Sequence, residues 1–198
     1  MKNRRIVGKI PVYIGFVLII ITLVQCKQHV VPKPKGYFRI DFPKKEYVQY
    51  KGQCPFSFEY PKYGKIVKDS AAGAEPCWFN IEFPHFKTKI HLSYKKVQHN
   101  VDTYIEDAHT LAYKHTIKAD AIKEKYFENP SENVYGLLYD IKGNAASSVQ
   151  FFVTDSIHNF LRGALYFSAE PNKDSLAPAI DFFKKDILHL IGTFKWEK

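Results

Sequence analysis

Almost no polar side chain interrupts the run Phe160-Leu161-Arg162-Gly163-Ala164-Leu165-Tyr166-Phe167. A short apolar run of this kind predicts a strand that is covered on both faces, at the centre of a sheet. Arg162 is the exception. If its side chain points inward it needs an anionic partner, for which Asp155 or Asp174 is suitable, and if it points outward it is an ordinary surface residue. The sequence leaves both orientations open.

The segments on either side of this run alternate between apolar and polar residues. Residues 134–142 and 148–154 are typical of a hairpin, with Gly143-Asn144 at its turn. Alternation places one side of a strand in the core and the other in water, as in antiparallel sheets. The same pattern predicts further short strands at residues 56–60, 77–83, 89–94 and 121–127.

Two segments have a helical period instead. Asn100 is a suitable N-cap for the first, which we expect to end near Ile117 and whose apolar stripe consists of Val101, Tyr104, Ile105, Ala108, Leu111 and Ala112. The second follows a capping loop at residues 171–175 and carries Pro178 in its first turn. Its stripe consists of Leu176, Ile180, Phe183, Ile187, Leu190, Ile191 and Phe194.

These elements predict an α+β fold, in which an antiparallel β-sheet is flanked by a middle helix and a C-terminal helix. The order of strands, helix, strands and final helix resembles the α/β/α sandwich of the photosystem II protein PsbP and the nuclear-transport factor Mog1. This resemblance concerns the fold alone, and it implies binding or assembly more than chemistry.

The start of the chain has the layout of a secretory signal. Basic residues precede an apolar run at residues 10–24, and the run stops at Cys26. Leu23-Val24-Gln25-Cys26 resembles a bacterial lipobox, in which the Cys is acylated and becomes the first residue of the mature protein. We therefore expect a lipoprotein signal peptide at residues 1–25, the lipidated Cys26 with a tether at residues 26–35, and one globular α+β domain at residues 36–198.

An uncleaved N-terminal helix is the alternative. Gln25 stands where a lipobox normally has a small residue, which weakens the match. The apolar run is, however, shorter than the roughly 20 residues that a single membrane span needs. Both alternatives leave the domain on the same side of the membrane, so the lipid bilayer is an expected partner, reached through acylated Cys26.

The net charge is consistent with this placement. It is +9 for the whole chain. Residues 1–25 hold four basic and no acidic residues, so the mature chain carries +9 − 4 = +5. A moderate positive charge suits anionic headgroups or acidic glycan. The basic residues form no run, and no RNA-binding motif is present, so we expect no nucleic-acid partner.

The sequence contains no recognisable catalytic motif. It has no G-x-S-x-G elbow, Gly-rich phosphate loop or H-E-x-x-H sequence. His109 and His115 are six residues apart, which on a helix points the rings away from each other, so no metal site is predicted. Asp102, Glu106 and Asp107 fit a solvated helix start better than an acid–base pair. We expect no enzyme activity, no catalytic residue and no cofactor.

Two cysteines remain once Cys26 is acylated. Cys54 and Cys77 in an oxidising compartment suggest a disulfide, which would stabilise the fold by about 3 kcal/mol through loop closure in the unfolded chain. The alternative is two separate buried thiols that pack as small apolar residues. Spacing alone does not decide between them.

Several stretches together resemble the gliding motility lipoprotein GldD family, over essentially all of the mature protein. They are residues 34–41 (Pro-Lys-Gly-Tyr-Phe-Arg-Ile-Asp), 151–156 (Phe-Phe-Val-Thr-Asp-Ser), 159–167 (Asn-Phe-Leu-Arg-Gly-Ala-Leu-Tyr-Phe) and 172–178 (Asn-Lys-Asp-Ser-Leu-Ala-Pro). The resemblance implies a non-enzymatic accessory lipoprotein of the bacterial gliding machinery, which is coupled to type IX secretion. It also implies other gliding and secretion envelope proteins as partners, and no cofactor.

The residues after Cys26 bear on location. Surface-exposed lipoproteins of gliding bacteria tend to carry acidic residues there, whereas this chain has Lys27, Gln28 and His29. We therefore expect a lipid-anchored, periplasm-facing protein of the cell envelope, on the outer membrane.

Two other functions remain open. A periplasmic glycan- or ligand-binding module would use exposed aromatic residues such as Tyr37, Trp78 or Trp196. A hydrolase without a motif would need a deep pocket in which an acid and a histidine have shifted pKa values.

Overall fold

The computed structural model describes residues 40–114 and 116–197. The predicted signal peptide, Cys26, the tether and the first residues of the domain lie outside this part of the chain. The strands in chain order are β1 Tyr47–Gln49, β2 Phe56–Ser57, β3 Glu59–Pro61, β4 Lys65–Lys68, β5 Phe79–Phe83, β6 Thr88–Lys96, β7 Ala119–Asn129, β8 Val134–Gly143, β9 Val149–Thr154, β10 Asn159–Phe167 and β11 Lys195–Trp196. The helices are α1 Val101–Tyr113 and α2 Lys173–Gly192.

Seven of the strands form one antiparallel sheet in the order β4-β5-β6-β10-β9-β8-β7. The apolar run at residues 160–167 lies in β10, the fourth strand, so the prediction of a central strand is confirmed. Leu161 and Leu165 are completely buried. A Cβ on Gly163 would lie 2.2 Å from the ring of Phe151 on β9, so glycine is needed for the two strands to pack here.

The two helices cover opposite faces of the sheet. On the α1 face, Ala108 and Ala112 of the helix pack with strand residues such as Tyr139, Phe152 and Phe160. On the α2 face, the helix packs its stripe against a larger apolar cluster that includes Phe56, Phe58, Phe79, Phe83, Ile90, Phe151, Phe183 and Phe194. The predicted α+β fold, with an antiparallel sheet between a middle and a C-terminal helix, is therefore confirmed.

The helix ends differ from the predictions. Helix α1 stops at Tyr113 rather than near Ile117. Asn100 occupies its N-cap position, but its Oδ1 accepts a hydrogen bond from the Gln98 N–H instead of a helix N–H. Helix α2 begins at Lys173 because Asn172 caps it. Asn172 Oδ1 accepts hydrogen bonds from the N–H groups of Asp174 and Ser175. Pro178 therefore lies one turn deeper than predicted.

Residues 56–60 form two strands rather than the single predicted one. β2 pairs with β11, whereas β3 pairs with β1. Phe58, between them, is buried in the cluster on the α2 face. The chain changes partner at this residue, which alternation alone does not reveal.

Candidate functional site

A buried carboxylate fastens the first described residues to helix α2. The Asp186 cluster consists of Asp186, Lys45, Tyr47 and Tyr63. Lys45 Nζ lies 2.7 Å from Asp186 Oδ2, and the Tyr63 hydroxyl donates to the same oxygen at 2.6 Å. The Tyr47 hydroxyl donates to Oδ1 at 3.0 Å. The Asp186 side chain is 0% exposed, so among the described residues Lys45 balances its charge and the two tyrosine hydroxyls replace water as donors.

Aromatic rings hold the same leading segment (residues 40–49). The ring of Phe42 stacks on those of Phe86 and Phe182, with centroid distances of 5.7 Å and 4.2 Å. Lys45 Nζ lies 3.1 Å from the Phe182 ring centroid and donates to the Phe182 carbonyl at 3.0 Å. The cation–π contact and the ion pair together bind this segment to the α2 face.

Burial shifts the pKa values in the Asp186 cluster. Desolvation, together with the neighbouring Asp186 carboxylate, raises the pKa of Tyr47 to about 12 and raises that of Tyr63 as well. Desolvation lowers the pKa of Lys45, against the opposing effect of Asp186. Both tyrosines therefore stay protonated at neutral pH and serve as hydrogen-bond donors. With both of its oxygens engaged, Asp186 has a structural role.

Cys54 and Cys77 are joined by a disulfide, with their Cα atoms 5.7 Å apart. The bond links the segment before β2 to the loop before β5. Cys77 has a φ of 66°, a left-handed conformation that is uncommon outside glycine. Trp78 follows directly, and its Nε1 donates to the Tyr94 carbonyl at 2.8 Å. The disulfide thus fixes the backbone next to the Trp78 ring.

The α1 face has an open half, because α1 covers only part of the sheet. Between α1 and Trp78 lies a cavity of about 460 Å³, named here the sheet groove. Two small residues, Ser93 on β6 and Ala164 on β10, leave room on this face. Ser93 is paired with Arg162 and Ala164 with His91. On the sheet side it is lined by Trp78, His91, Ser93, Lys95, Arg162 and Tyr166, and on the helix side by Tyr104, Asp107 and Leu111.

Polar groups converge on the sheet groove. Arg162 Nη2 donates to Gln150 Oε1, a neutral amide. His91 Nδ1 donates to Asn80 Oδ1 at 3.0 Å, and burial lowers the pKa of His91 despite the nearby Asp69 carboxylate. Lys95 pairs with Glu75 and lies 4.9 Å from the centre of the Trp78 ring. The sheet groove therefore combines aromatic walls with a half-buried cation whose bonded partner is uncharged.

The structure gives Arg162, whose orientation the sequence left open, an uncharged partner. Neither Asp155 nor Asp174 is its partner; Gln150 is. Asp155 instead accepts hydrogen bonds from the N–H groups of Ile157, His158 and Asn159 and so holds the turn before β10. Burial disfavours the charged form of Asp155, but these backbone donors outweigh it and lower the pKa of the carboxyl.

The other predicted residues are placed as follows. Asp102, Glu106 and Asp107 are exposed on α1. Trp196 is half-buried and packs against Phe194, with ring centroids 4.7 Å apart, as part of the apolar layer around the α2-face cluster. Cys26, Tyr37 and His115 lie outside the described residues.

The Asp186 cluster was not predicted. The available signal is that Asp186 lies three residues after Phe183 and four before Leu190, on the apolar stripe of α2. An acid on a buried stripe requires a partner. That partner could not be identified from the sequence, because Tyr63 is 123 residues and Tyr47 139 residues away.

The described residues include neither a metal-binding cluster nor a membrane-spanning helix. No group of three or more His, Cys, Asp or Glu side chains there is placed to hold a metal ion. Within residues 40–114 and 116–197, neither helix combines the length and apolar character needed to span a bilayer.

Comparison with known proteins gives a family and a fold neighbour. Among solved structures, the chain is similar to the solution structure of cyanobacterial PsbP (CyanoP) from Synechocystis sp. PCC 6803, with 13% identity and a TM-score of 0.48, over 78% of this chain and 94% of that one. No curated protein sequence matches the chain closely enough to count as a relative. A model of the gliding motility lipoprotein GldD family matches residues 27–196. The chain therefore belongs to the gliding motility lipoprotein GldD family.

Proposed function

We propose that this protein is a lipid-anchored, non-enzymatic component of the gliding machinery, whose domain docks on other envelope proteins during assembly of the type IX-coupled apparatus. The observation that carries the proposal is the family match, which spans residues 27–196 and so includes nearly all of the described domain.

The placement of two carboxylates supports a structural rather than a catalytic role for the domain. Asp186 and Asp155 are each held by several donors: Asp186 fastens the leading segment to helix α2, and Asp155 holds the turn before β10. A general acid or base needs an oxygen that can reach a substrate proton. The oxygens of Asp186 are occupied and shielded, so this carboxylate holds the fold together.

The anchor is proposed at Cys26, directly before the first residue that the family matches. Acylation there, after removal of residues 1–25 as a signal peptide, would hold the domain at a bilayer. A single acyl chain gives only weak membrane binding, so stable anchoring needs a second chain or an added electrostatic contribution. Lys27, Gln28 and His29 in place of acidic residues favour the periplasmic side of the outer membrane.

The leading segment supports this arrangement mechanically. A domain anchored through its N-terminus receives any pull from the membrane at residues 40–49. Lys45 and Phe42 bind this segment to α2 through an ion pair and stacked rings. Tension from the membrane anchor would therefore act on the α2 face, which has the larger apolar cluster.

Crosslinking in intact cells tests the docking proposal. Cells that produce the wild-type chain are treated with an amine-reactive crosslinker, and the crosslinked peptides are identified by mass spectrometry. We expect recurrent crosslinks from the domain to one or a few gliding or secretion envelope proteins, and their loss in the Cys26→Ser variant. If the domain gives crosslinks only within itself at normal abundance, the docking function is wrong.

The sheet groove favours a second function, a periplasmic glycan- or ligand-binding module. The specific observation is that Trp78 lines an open groove beside Arg162 and His91, whereas Trp196 packs against the α2-face cluster and lies outside that groove. Binding sites of this size typically combine aromatic walls with a few fixed polar groups. Retention of the purified chain on cell-wall glycan, reduced by Trp78→Ala, would support it. Absence of retention leaves the docking function alone.

A further inference from the structure

We propose that the sheet groove binds a saccharide that carries a carboxylate, with Arg162 binding the carboxylate and Trp78 packing against the sugar ring. This inference rests on the second function above, and it goes further by naming the ligand class and the residue that selects it.

The first argument is the charge of Arg162. Its side chain is half-buried in β10, and its hydrogen bond goes to the neutral Gln150. The described residues provide no ion pair for Arg162, whose hydrogen-bond partner is uncharged. A guanidinium has five N–H donors arranged as a fork that matches a carboxylate. Arg162 therefore offers donors to an anion that enters the sheet groove.

The second argument is the fixed position of the aromatic wall. Trp78 is held by its hydrogen bond to the Tyr94 carbonyl and by the adjacent disulfide at Cys77. A ring that is already fixed loses little conformational freedom on binding, so its contact with a ligand costs less entropy. Aromatic side chains provide apolar area against which the C–H face of a sugar can pack.

The third argument concerns hydroxyl recognition. His91 donates through Nδ1 to Asn80, which leaves its Nε2 as a hydrogen-bond acceptor in the neutral ring. Asp107 adds a carboxylate acceptor from helix α1, and Ser93 adds a hydroxyl on the floor. A ligand with both hydroxyl donors and one anionic group matches this set better than a simple anion does.

Size is consistent with such a ligand. The volume of about 460 Å³ lies within the range of roughly 300–1,000 Å³ that is typical of small-molecule sites.

The test uses the full chain in a neutral detergent, labelled with 5-fluorotryptophan and followed by ¹⁹F NMR. The chain has two tryptophans, of which Trp78 lines the sheet groove and Trp196 does not, so the second signal is an internal reference. Trp196→Phe assigns the signals. The probe is trigalacturonate, and the matched control is its methyl ester, which has the same rings without the charge.

We expect trigalacturonate to shift the Trp78 signal and to leave Trp196 unchanged, and the methyl ester to bind at least about tenfold more weakly, since hydrogen bonds to charged groups contribute this much. Arg162→Gln should weaken trigalacturonate binding by a similar factor. Arg162→Lys keeps the charge and loses the two-pronged donor geometry, so its affinity for trigalacturonate should lie between those of the wild type and Arg162→Gln. Lys123→Gln, an exposed cation on β7, should have no effect.

Other outcomes would overturn the proposal in distinguishable ways. If the methyl ester binds as tightly as trigalacturonate, the sheet groove is a glycan site that does not select for a carboxylate. Equal binding of a Glu-Glu-Glu peptide would make the sheet groove a carboxylate site without sugar selectivity. If none of the probes shifts Trp78, both this inference and the glycan function are wrong. The docking function is unaffected in every case, because it is tested by crosslinking in cells.

Discussion

The two faces of the sheet differ in how completely they are covered. The α2 face is closed: its apolar residues pack against helix α2, and its one fully buried carboxylate, Asp186, has three donors. The α1 face is half open, because helix α1 packs over part of the sheet and leaves polar side chains of β6 and β10 at the surface of the sheet groove. The closed face supplies stability, and the open half supplies a surface that a ligand can reach.

The difference between the two faces can be measured by comparing one ion pair from each face. Lys45–Asp186 on the α2 face has a carboxylate that is 0% exposed, whereas Lys95–Glu75 beside the sheet groove has one that is 47% exposed. The lysines are exposed to similar extents, 27% and 30%. The environment of the carboxylate is therefore the main difference between two otherwise similar pairs.

The largest effect is expected from Asp186→Asn. The amide removes the fully buried carboxylate that pairs with the half-buried Lys45 ammonium, and loss of one partner of a buried pair costs about 3–5 kcal/mol. Urea unfolding should show this as a large decrease in the transition midpoint. Asp181→Asn, on an exposed position of the same helix, is the control and should leave the midpoint nearly unchanged. Equal midpoints for the two variants would contradict a structural role for the Asp186 cluster.

The Cys54–Cys77 bond is expected to contribute somewhat less. Its sequence separation is 23 residues, for which loop-closure entropy predicts about 3 kcal/mol. The double variant Cys54→Ser with Cys77→Ser should lose this stability, and its midpoint should not respond to reductant, whereas the wild-type midpoint should fall. Two free thiols titrating in the native, non-reduced protein would contradict the bond.

Asp155→Asn should have an intermediate effect that depends on pH. Removing a charged acceptor of several backbone N–H groups costs about 1–3 kcal/mol. Because the folded pKa of Asp155 lies below its ordinary value of 3.8, its contribution is fully present above that pH and is lost as the pH falls through the folded pKa. The stabilities of wild type and Asp155→Asn should therefore converge in acid. A difference that stays constant from pH 7 to pH 2 would contradict this origin.

The smallest effect is expected from Glu75→Gln. Partly exposed ion pairs contribute about 0–1 kcal/mol, so the unfolding midpoint should change little. Compared with Asp186→Asn, this variant tests whether the two faces differ as described. A loss as large as that of Asp186→Asn would mean that the α1 face is also essential to stability.

The sequence predicted the central strand and both helices for clear physical reasons. Residues 160–167 are apolar on both faces, and the stripes of α1 and α2 have a helical period that few other structures produce. Strands β1, β4 and β11 were not predicted, because each has four residues or fewer and is defined by its pairing partner. Local pattern carries no information about such pairs.

The sites were less predictable than the fold. The alternation of residues 89–94 shows that β6 has a polar side. It does not show that helix α1 leaves this side uncovered. The sheet groove depends on Ser93 facing Arg162 across two strands that are distant in sequence. The Asp186 cluster likewise requires the leading segment to reach helix α2 near the other end of the chain.

We propose that the domain acts from a membrane to which acylated Cys26 anchors it. The most direct measurement compares wild-type and Cys26→Ser cells for membrane fractionation of the protein and for colony spreading, at matched abundance. We predict that the variant leaves the membrane fraction, keeps its unfolding midpoint and fails to support spreading. A Cys26→Ser protein that stays with the membrane and supports normal spreading would contradict the account.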